Sequence, residues 1–348
     1  MRRSAREYDE SDVRVRPNRR GSRPRTKDRP AHKDAVEAVV VAVDRGRWRT
    51  ELVSDGTAVT AMRARELGRS PIVPGDRVAL TGDVSGRDGS LARIVRIEER
   101  SSFLRRSADD DDTSERPLVA NVDLVAIVTA LADPPPRRGM IDRCLVAARS
   151  AGIDAMLVLT KADLADPAPF IAEEAPQGVD CVATWIERDE SGAVVQVHGL
   201  DDLRAHLAGR TTVLIGHSGV GKSTLLNALV PGASRATGHV NDVTGRGRHT
   251  SSSALSLRLP GGGWVIDTPG VRSFGLGHID AEDLLDGFED LAPLADDCPR
   301  GCTHADDSPD CALDGAVEEG RAGGAGTARL ASYRRLAEVL RRNDPWEA

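Results

Sequence analysis

The stretch GHSGVGKS, residues 216–223, decides the fold of this 348-residue chain. It matches the phosphate-binding loop pattern G-x-x-x-x-G-K-[ST] at every fixed position. The apolar run Val213–Ile215 precedes it and the sequence TLLNAL follows, so we expect a strand, a glycine-rich loop and a helix in that order. Loop N–H groups and a helix N-terminus both attract phosphate, and the stretch therefore predicts a nucleotide site on an α/β domain.

Each residue type of this loop suits a bound nucleotide. Its glycines let the backbone turn N–H groups inwards, Lys222 brings a positive charge to the β- and γ-phosphates, and the Ser223 hydroxyl suits Mg²⁺. A glycine-rich turn with an incidental lysine is the alternative, which the complete match between a strand and a helix disfavours. The predicted nucleotide contacts here are Gly216, His217, Ser218, Gly219, Val220, Gly221, Lys222, Ser223 and Thr224.

Two further segments fit a nucleotide with Mg²⁺. Asp267 ends the apolar run Trp264–Ile266, where a carboxylate can hold Mg²⁺, and Gly270 can offer its N–H to the γ-phosphate. The sequence GRGRHTSSS, residues 245–253, lies before this carboxylate, and its Thr250 is placed to give Mg²⁺ a second hydroxyl. Alone, each segment suits an ordinary turn or surface loop. In this order, we expect a switch that orders with a triphosphate.

A short base-reading pattern, Thr160-Lys161-Ala162-Asp163, follows the apolar run Met156–Leu159. Asp163 can accept hydrogen bonds from guanine N1–H and the exocyclic amine, which adenine cannot satisfy, and the Lys161 stem can cover the base. A charged surface turn is the alternative when the pattern is taken alone. Ordinary GTPases carry this pattern after the phosphate loop. Here it comes first, an order typical of a circularly permuted GTPase.

The cysteines indicate a metal site near the C-terminus. Cys298, Cys302, His304 and Cys311 supply three thiolates and one imidazole, a closed set for tetrahedral, structural zinc. Such a cluster in a reducing compartment favours metal over disulfides, with three free thiols and a surface histidine as the alternative. The other two cysteines, Cys144 and Cys181, are expected to be inert packing residues.

Composition and local patterns set the wider organisation. Residues 1–33 carry twelve Lys/Arg against five Asp/Glu, which predicts a disordered basic tail that either contacts RNA or is simply solvated. Five short strand-like runs in residues 35–100 are typical of an OB-type barrel, although periodicity leaves an SH3-like barrel open. We expect a polar loop over 105–117 and an α-helix over 279–291. No apolar run reaches the ~20 residues of a membrane span, so we expect a cytoplasmic protein.

Together these motifs resemble the ribosome small-subunit-dependent GTPase A family, over about residues 35–345. The resemblance implies several domains: an N-terminal OB-fold β-barrel, a central circularly permuted α/β P-loop GTPase domain and a C-terminal, mostly α zinc-binding domain. It also implies a monomer that binds the small ribosomal subunit and its rRNA, acts late in maturing that subunit, and hydrolyses GTP to GDP under its stimulation. The expected boundaries are 1–34 for the tail, 35–100 for the barrel, 101–117 for an acidic linker, 118–277 for the GTPase domain and 278–348 for the zinc domain.

The chain departs from the family pattern at three places. Thr160 stands where Asn is usual, and three residues separate Cys298 from Cys302 where four are more common. The fifth GTPase motif is blurred, and both 191–192 and 197–200 are possible remnants.

The residue after Gly270 is Val271, which cannot orient water as the glutamine of many GTPases does. We therefore expect slow intrinsic hydrolysis. His249 is the candidate catalytic group because it neighbours Thr250 and the resemblance supports it. A loop histidine that contacts RNA or solvent is the alternative.

Two other function classes are alternatives to a ribosome-dependent GTPase. One is an RNA-binding assembly scaffold that uses nucleotide only as a regulatory ligand, and GTP turnover with small subunits separates it from a GTPase. The other is an ATP-using P-loop enzyme such as a small-molecule kinase. Asp163 argues against the second class, since its carboxylate suits guanine rather than adenine.

Overall fold

In a computed structural model of the chain, residues 32–44, 46–107, 115–173, 179–232, 254–268, 276, 279 and 284–342 are described. The elements described below all belong to one compact unit, Asp34–Ala348.

The N-terminal part forms a closed five-stranded barrel. Its strands are β1 (Val36–Asp44), β2 (Arg47–Leu52), β3 (Ala58–Arg63), β4 (Arg77–Gly82) and β5 (Ala92–Ile97). They pair in the order β1-β2-β3-β5-β4, and β4 pairs back with β1. Only β3 and β5 run parallel within this barrel. The expected OB-type barrel is thereby confirmed.

The barrel closes because its strands alternate between an inner and an outer face. On β2, Trp48, Thr50 and Leu52 are buried, whereas the residues between them are more exposed. The Trp48 indole N–H donates to the Ile72 carbonyl oxygen at 3.2 Å, which satisfies the one polar group of that large side chain. A period of two over six residues therefore builds the core of this small domain.

A tight turn fixes the barrel to the next domain. Gly75 has φ +89°, and a Cβ there would overlap the carbonyl oxygen of Ala120, so only glycine fits. The buried Asp76 beside it accepts from the Val73 N–H and pairs with Arg100 at 2.7 Å. The turn is thus held both by backbone packing and by a buried carboxylate.

The predicted polar loop over 105–117 is wrong at both of its described ends. Strands β6 (Phe103–Ser107) and β7 (Glu115–Ala120) pair as an antiparallel hairpin. The acidic residues 109–112 lie outside the described residues. Charge alone suggested a loop, but Leu104 and Val119 bury their side chains in the core and register with each other across the hairpin.

The central domain is a mainly parallel sheet covered on both faces. Its strands are β8 (Leu124–Ala130), β9 (Asp154–Thr160), β10 (Asp180–Ala183), β13 (Thr211–Ile215), β14 (Leu255–Arg258) and β15 (Trp264–Asp267). They lie in the order β10-β9-β8-β13-β15-β14, and β14 is the antiparallel member. A separate hairpin of β11 (Trp185–Arg188) and β12 (Val194–His198) follows β10.

Helices cover the sheet because its strands are apolar on both sides. All seven residues of β8 are buried: Val125 and Ile127 face the same core as α1 (Arg138–Ser150), whereas Leu124, Ala126 and Val128 face the core of α3 (Leu200–Leu207) and α4 (Lys222–Leu229). A short helix, α2 (Pro167–Glu173), follows β9. This is the layered arrangement that a parallel sheet requires.

The barrel and the central sheet share one continuous hydrogen-bonded surface. Strand β14 pairs with β1 of the barrel at Ala42 and Leu255, which joins eleven strands in one sheet. Strand β14 also pairs with β15, whose last residue is Asp267. The barrel is therefore only two strands away from a predicted Mg²⁺ ligand.

The C-terminal part is mostly helical and packs on α1. It contains two 3₁₀ helices (Leu285–Gly287 and Ala292–Asp297), α5 (Ala312–Glu318) and α6 (Gly326–Arg342). The α-helix predicted over 279–291 is wrong for its described second half, residues 284–291. Gly287 lies against Val146, where an added Cβ would come within 3.0 Å, and Phe288 is fully buried. Close packing on α1 therefore overrides the helical pattern.

Within the part of the chain that the structure describes, no helix is both long enough and apolar enough to cross a bilayer.

Candidate nucleotide site and metal centre

The phosphate loop connects strand β13 to helix α4. A Cβ at Gly216 would overlap the carbonyl oxygen of Val128 on the neighbouring strand, so the chain can leave β13 only through glycine here. Gly219 and Gly221 have φ values of +82° and +97°, which other residues rarely adopt. Gly221 is also the N-cap of α4, so the helix begins directly at Lys222 and Ser223. The loop thus presents its N–H groups with the helix N-terminus behind them.

Lys222 and Asp267 form the charged part of this site. The Lys222 ammonium donates to the carbonyl oxygens of Gly216 and His217, at 3.0 Å from the latter. Burial lowers the pKa of Lys222, while the charge of Asp267 raises it. Burial likewise raises the pKa of Asp267, and Lys222 opposes that shift. Two opposite charges held in a partly dry site are suited to a nucleotide phosphate and its cation.

Asp267 is held in place by the strand pairing around it. It registers with Leu214 on β13 and Leu255 on β14. The next residue, Thr268, is buried and donates its hydroxyl to the Leu214 carbonyl oxygen at 3.0 Å. Three other predicted site residues, His249, Thr250 and Gly270, lie outside the described residues.

Thr160 ties the base-reading segment to the phosphate loop. Its buried hydroxyl donates to the Val220 carbonyl oxygen at 2.6 Å and also lies 3.3 Å from the Thr129 carbonyl oxygen. The adjacent Lys161 has φ +57° and donates its ammonium to the carbonyl oxygen of Asp133. The threonine at the position where asparagine was expected therefore still links the two segments.

One cavity of about 470 Å³ brings the two motifs together. Asp163, which is exposed, and Lys161 line it from the base-reading segment, and Gly219 and Gly221 line it from the phosphate loop. The residues on the remaining sides come from the base-reading turn, from helix α4 and from the segment after β10. They are Thr160, Leu164, Thr184, Trp185, Ile186, Arg188, Val197, Thr224 and Leu225.

The segment after β10 contains site residues that sequence reasoning missed. The Thr184 carbonyl oxygen accepts from the Ala162 N–H at 3.2 Å, and Gly199 packs so closely on Ala183 that a Cβ would overlap its carbonyl oxygen. The two ends of the 185–198 hairpin therefore meet beside the base-reading turn. Of the two candidates for the fifth motif, residues 197–200 border this junction, whereas 191–192 lie in the hairpin turn. The turn residues Ser191-Gly192 followed by the valine-rich run of 194–197 were the available signal for a hairpin.

The cysteine and histidine side chains predicted as metal ligands converge. The ligand atoms of Cys298, Cys302, His304 and Cys311 all lie within 4.8 Å of one another. His304 Nδ1 lies 3.4 Å from the Cys298 sulfur and 3.7 Å from the Cys311 sulfur. Metal–ligand bonds of about 2.3 Å to sulfur and about 2.0 Å to nitrogen put such pairs about 3.5 Å apart in a tetrahedron. The cluster could hold a metal ion.

Backbone and side-chain contacts orient the ligands of this cluster. The His304 N–H donates to the Cys302 sulfur at 3.4 Å, and the Ala312 N–H donates to the Cys298 sulfur at 3.3 Å. Arg334 on α6 donates to the His304 carbonyl oxygen at 2.9 Å. These contacts are typical of the supporting shell around a bound metal.

The two remaining cysteines lie outside this cluster. Burial raises the pKa of Cys144 to about 12 and that of Cys181 to about 11. Both thiols stay protonated at neutral pH, which agrees with a packing role.

Comparison with known proteins decides the family. The family model described as RsgA GTPase matches residues 97–277. The chain belongs to the RsgA GTPase family. Its curated relatives include proteins named small ribosomal subunit biogenesis GTPase RsgA. The relative from Pseudomonas aeruginosa (strain LESB58) is 38% identical over 279 residues, 78% of this chain and 77% of its own length. The relative from Hahella chejuensis is 36% identical over 272 residues, 76% of this chain and 75% of its own length.

Solved structures agree with membership in the RsgA GTPase family. YjeQ from Thermotoga maritima has a TM-score of 0.66 and 26% identity, and the match covers 88% of this chain and 98% of that one. YloQ, described as a circularly permuted GTPase, has a TM-score of 0.66 and 23% identity, and the match covers 90% of this chain and 98% of that one. At this identity, the similarity to YloQ shows a shared fold only. The predicted circular permutation of the fold is confirmed, and as a member of this family the chain is a GTP hydrolase.

Proposed function

We propose that this GTPase binds the small ribosomal subunit and acts late in its maturation, with GTP hydrolysis stimulated by the subunit. The names of the curated relatives support this role. The observation that carries it is the single cavity lined by both Asp163 and the phosphate-loop glycines, because that arrangement selects a guanine nucleotide. The protein works as a monomer in the cytoplasm.

Within this function, the predicted nucleotide contacts keep the roles given to them above. Ser223 and Asp267, with Thr250, would hold the Mg²⁺ that accompanies GTP. The two described donors fit, since α4 begins beside the Ser223 hydroxyl and the Asp267 carboxylate interacts with Lys222. The ion supplies positive charge to the β- and γ-phosphate oxygens. Val271 stands where many GTPases have the glutamine that orients the attacking water. In this proposal, His249 takes over that role.

The metal cluster takes one zinc ion, which has a structural role. Three sulfurs and His304 Nδ1 would supply all four ligands of a tetrahedral zinc ion, which would leave no position for a substrate. The zinc domain, residues 278–348, and the barrel, residues 35–100, are the surfaces that contact rRNA in this proposal. The central GTPase domain, residues 118–277, lies between them in sequence. The basic tail, residues 1–34, precedes the barrel, and the acidic linker, residues 101–117, connects the barrel to the GTPase domain.

Pelleting with purified small subunits tests the proposed partner. We expect the full chain to sediment with the subunits in the presence of a non-hydrolysable GTP analogue and to remain mostly in the supernatant with GDP. ATP analogues provide the control, since Asp163 selects guanine. Equal sedimentation in all nucleotide states would favour an RNA-binding scaffold, and no sedimentation in any state would reject the subunit as partner.

A further inference from the structure

The β11–β12 hairpin, Trp185–His198, forms one wall of the cavity that holds the base-reading segment. Residues in alternate positions, Ile186 and Arg188 on β11 and Val197 on β12, line the cavity. Ile186 and Val197 are directly opposite each other in the hairpin register. Their side chains therefore form one continuous apolar surface that is turned towards the nucleotide site.

The hairpin is well ordered by its own contacts. At its base, the rings of Trp185 and His198 stack with centroids 4.6 Å apart and planes 4° from parallel. His198 Nε2 also lies 3.0 Å from a Glu187 carboxylate oxygen. At its tip, the Asp189 carboxylate accepts from the backbone N–H groups of Ser191 and Ala193, each at 2.9 Å. A wall with these internal restraints can pack against a ligand without first being ordered.

The side chains at this end of the cavity suit a purine and its ribose. Leu164 and Trp185 line the same cavity, and their exposed fractions are 57% and 38%. Large apolar groups of this kind gain stability when a flat ring covers them. The hairpin adjoins Lys161 and Asp163 at the base end, whereas Lys222, which is assigned to the phosphates, does not line this cavity.

We propose that the inner face of this hairpin, formed by Ile186, Arg188 and Val197, covers the base and ribose of the bound nucleotide and slows its release. This inference rests on the proposed nucleotide site. It adds Ile186 and Arg188, which none of the GTPase motifs contains, and gives a role to Val197, which lies in one candidate for the fifth motif. Because the contacts are to the base and ribose, they are the same for GDP and GTP. The hairpin therefore sets how long either nucleotide stays bound rather than which of the two is preferred.

The test is the dissociation rate of tritiated GDP, and of a tritiated non-hydrolysable GTP analogue, from the full chain in a chase with unlabelled nucleotide. In the variant Ile186→Ser/Val197→Ser, we expect both rates to rise by about tenfold, because the apolar wall is lost. The matched control is Val194→Ser/Val195→Ser on the same hairpin. These valines are 45% and 61% exposed and do not line the cavity, so we expect rates within about twofold of wild type.

A second variant tests the same proposal if the first variant does not fold. Replacing residues 185–198 by two glycines removes the whole wall, and the close packing of Gly199 on Ala183 means that the two ends already meet. We expect the same acceleration for both nucleotides. Wild-type release rates in both variants would overturn the proposal, as would an acceleration confined to GTP.

This result is distinguishable from a failure of the proposed function. If wild-type protein bound no guanine nucleotide, the proposed site itself would be wrong. If wild type bound both nucleotides, Lys222→Ala weakened that binding, and the hairpin variants released at wild-type rates, the site would stand and only the role of the hairpin would be rejected.

Discussion

At the scale of single residues, the Thr160 hydroxyl is the contact that fixes the base-reading turn to the phosphate loop. We expect Thr160→Val, which keeps the shape of the side chain, to weaken GDP binding by about tenfold, since the buried Val220 carbonyl oxygen loses its donor. Isothermal titration with GDP measures the effect. Thr160→Ser retains the hydroxyl and serves as the control. Equal affinity in all three proteins would contradict a tethering role.

Gly216 provides a second test at this scale. Because a Cβ there would overlap the Val128 carbonyl oxygen, we expect Gly216→Ala to lower the free energy of unfolding by about 1–3 kcal/mol and to disturb the phosphate loop. Gly139→Ala is the matched control. That glycine lies in α1 with no atom near the added Cβ, so alanine should be neutral or stabilise by up to about 1 kcal/mol. Denaturant unfolding measures the free energy of unfolding of both variants. Equal values for Gly216→Ala and Gly139→Ala would contradict the close approach of Gly216 to the Val128 carbonyl oxygen.

At the scale of elements, the buried Arg329 joins the C-terminal helix α6 to the central domain. It pairs with Asp142 on α1 and, at 2.9 Å, with Asp290, and its guanidinium lies 4.3 Å from the centre of the Phe288 ring. Removing the arginine leaves two buried carboxylates without their cation. We therefore expect Arg329→Met to destabilise the protein by about 3–5 kcal/mol.

Arg321→Met is the control for this ion-pair prediction. Arg321 also contacts two carboxylates, those of Asp297 and Glu319, but its side chain is 42% exposed. Exposed pairs contribute about 0–1 kcal/mol, so the loss should be small. Thermal unfolding compares the two variants, and similar melting temperatures would mean that the buried network contributes little.

The sequence predicted those elements that depend on local patterns. The phosphate loop and the five barrel strands follow from glycine placement and from a period of two residues. The four metal ligands also come together despite the shortened spacing between Cys298 and Cys302. In each case the residues that specify the element lie close together in the chain.

Elements that depend on distant contacts were missed. The pairing of β1 with β14 joins residues more than two hundred positions apart, and no local pattern encodes that register. Ile186, in the wall of the base cavity, was overlooked because strand β11 matched no motif, and only Val197 on the opposite strand lay in a candidate for the fifth motif. The 3₁₀ helix at Leu285–Gly287 replaces a predicted α-helix because Gly287 must pack against Val146.

At the scale of the whole molecule, the metal cluster is expected to hold the C-terminal domain together. We predict one zinc ion per chain in protein purified without chelator, and a lower melting temperature after the ion is removed, because the ligand loop would lose its cross-link. Cys311→Ser should reproduce the loss, whereas Cys181→Ser, outside the cluster, should retain full zinc content. Elemental analysis that finds no zinc in wild-type protein would refute the assignment.

Strand pairing connects the candidate nucleotide site to the barrel. Strand β15 ends at Asp267 in the nucleotide site, pairs with β14, and β14 pairs with β1 of the barrel. The candidate nucleotide site is therefore two strand pairings away from the barrel. After Gly270, the sequence carries no further nucleotide motif before the cysteine cluster.

The most direct test of the central claim is the rate of GTP turnover by the full chain with and without purified small ribosomal subunits. We predict slow turnover by the chain alone, a large increase when subunits are added, and loss of that increase in Lys222→Ala, since Lys222 is the cation of the phosphate loop. His249→Ala should bind nucleotide but lose most of the stimulated rate. A wild-type rate that subunits do not change would contradict the account.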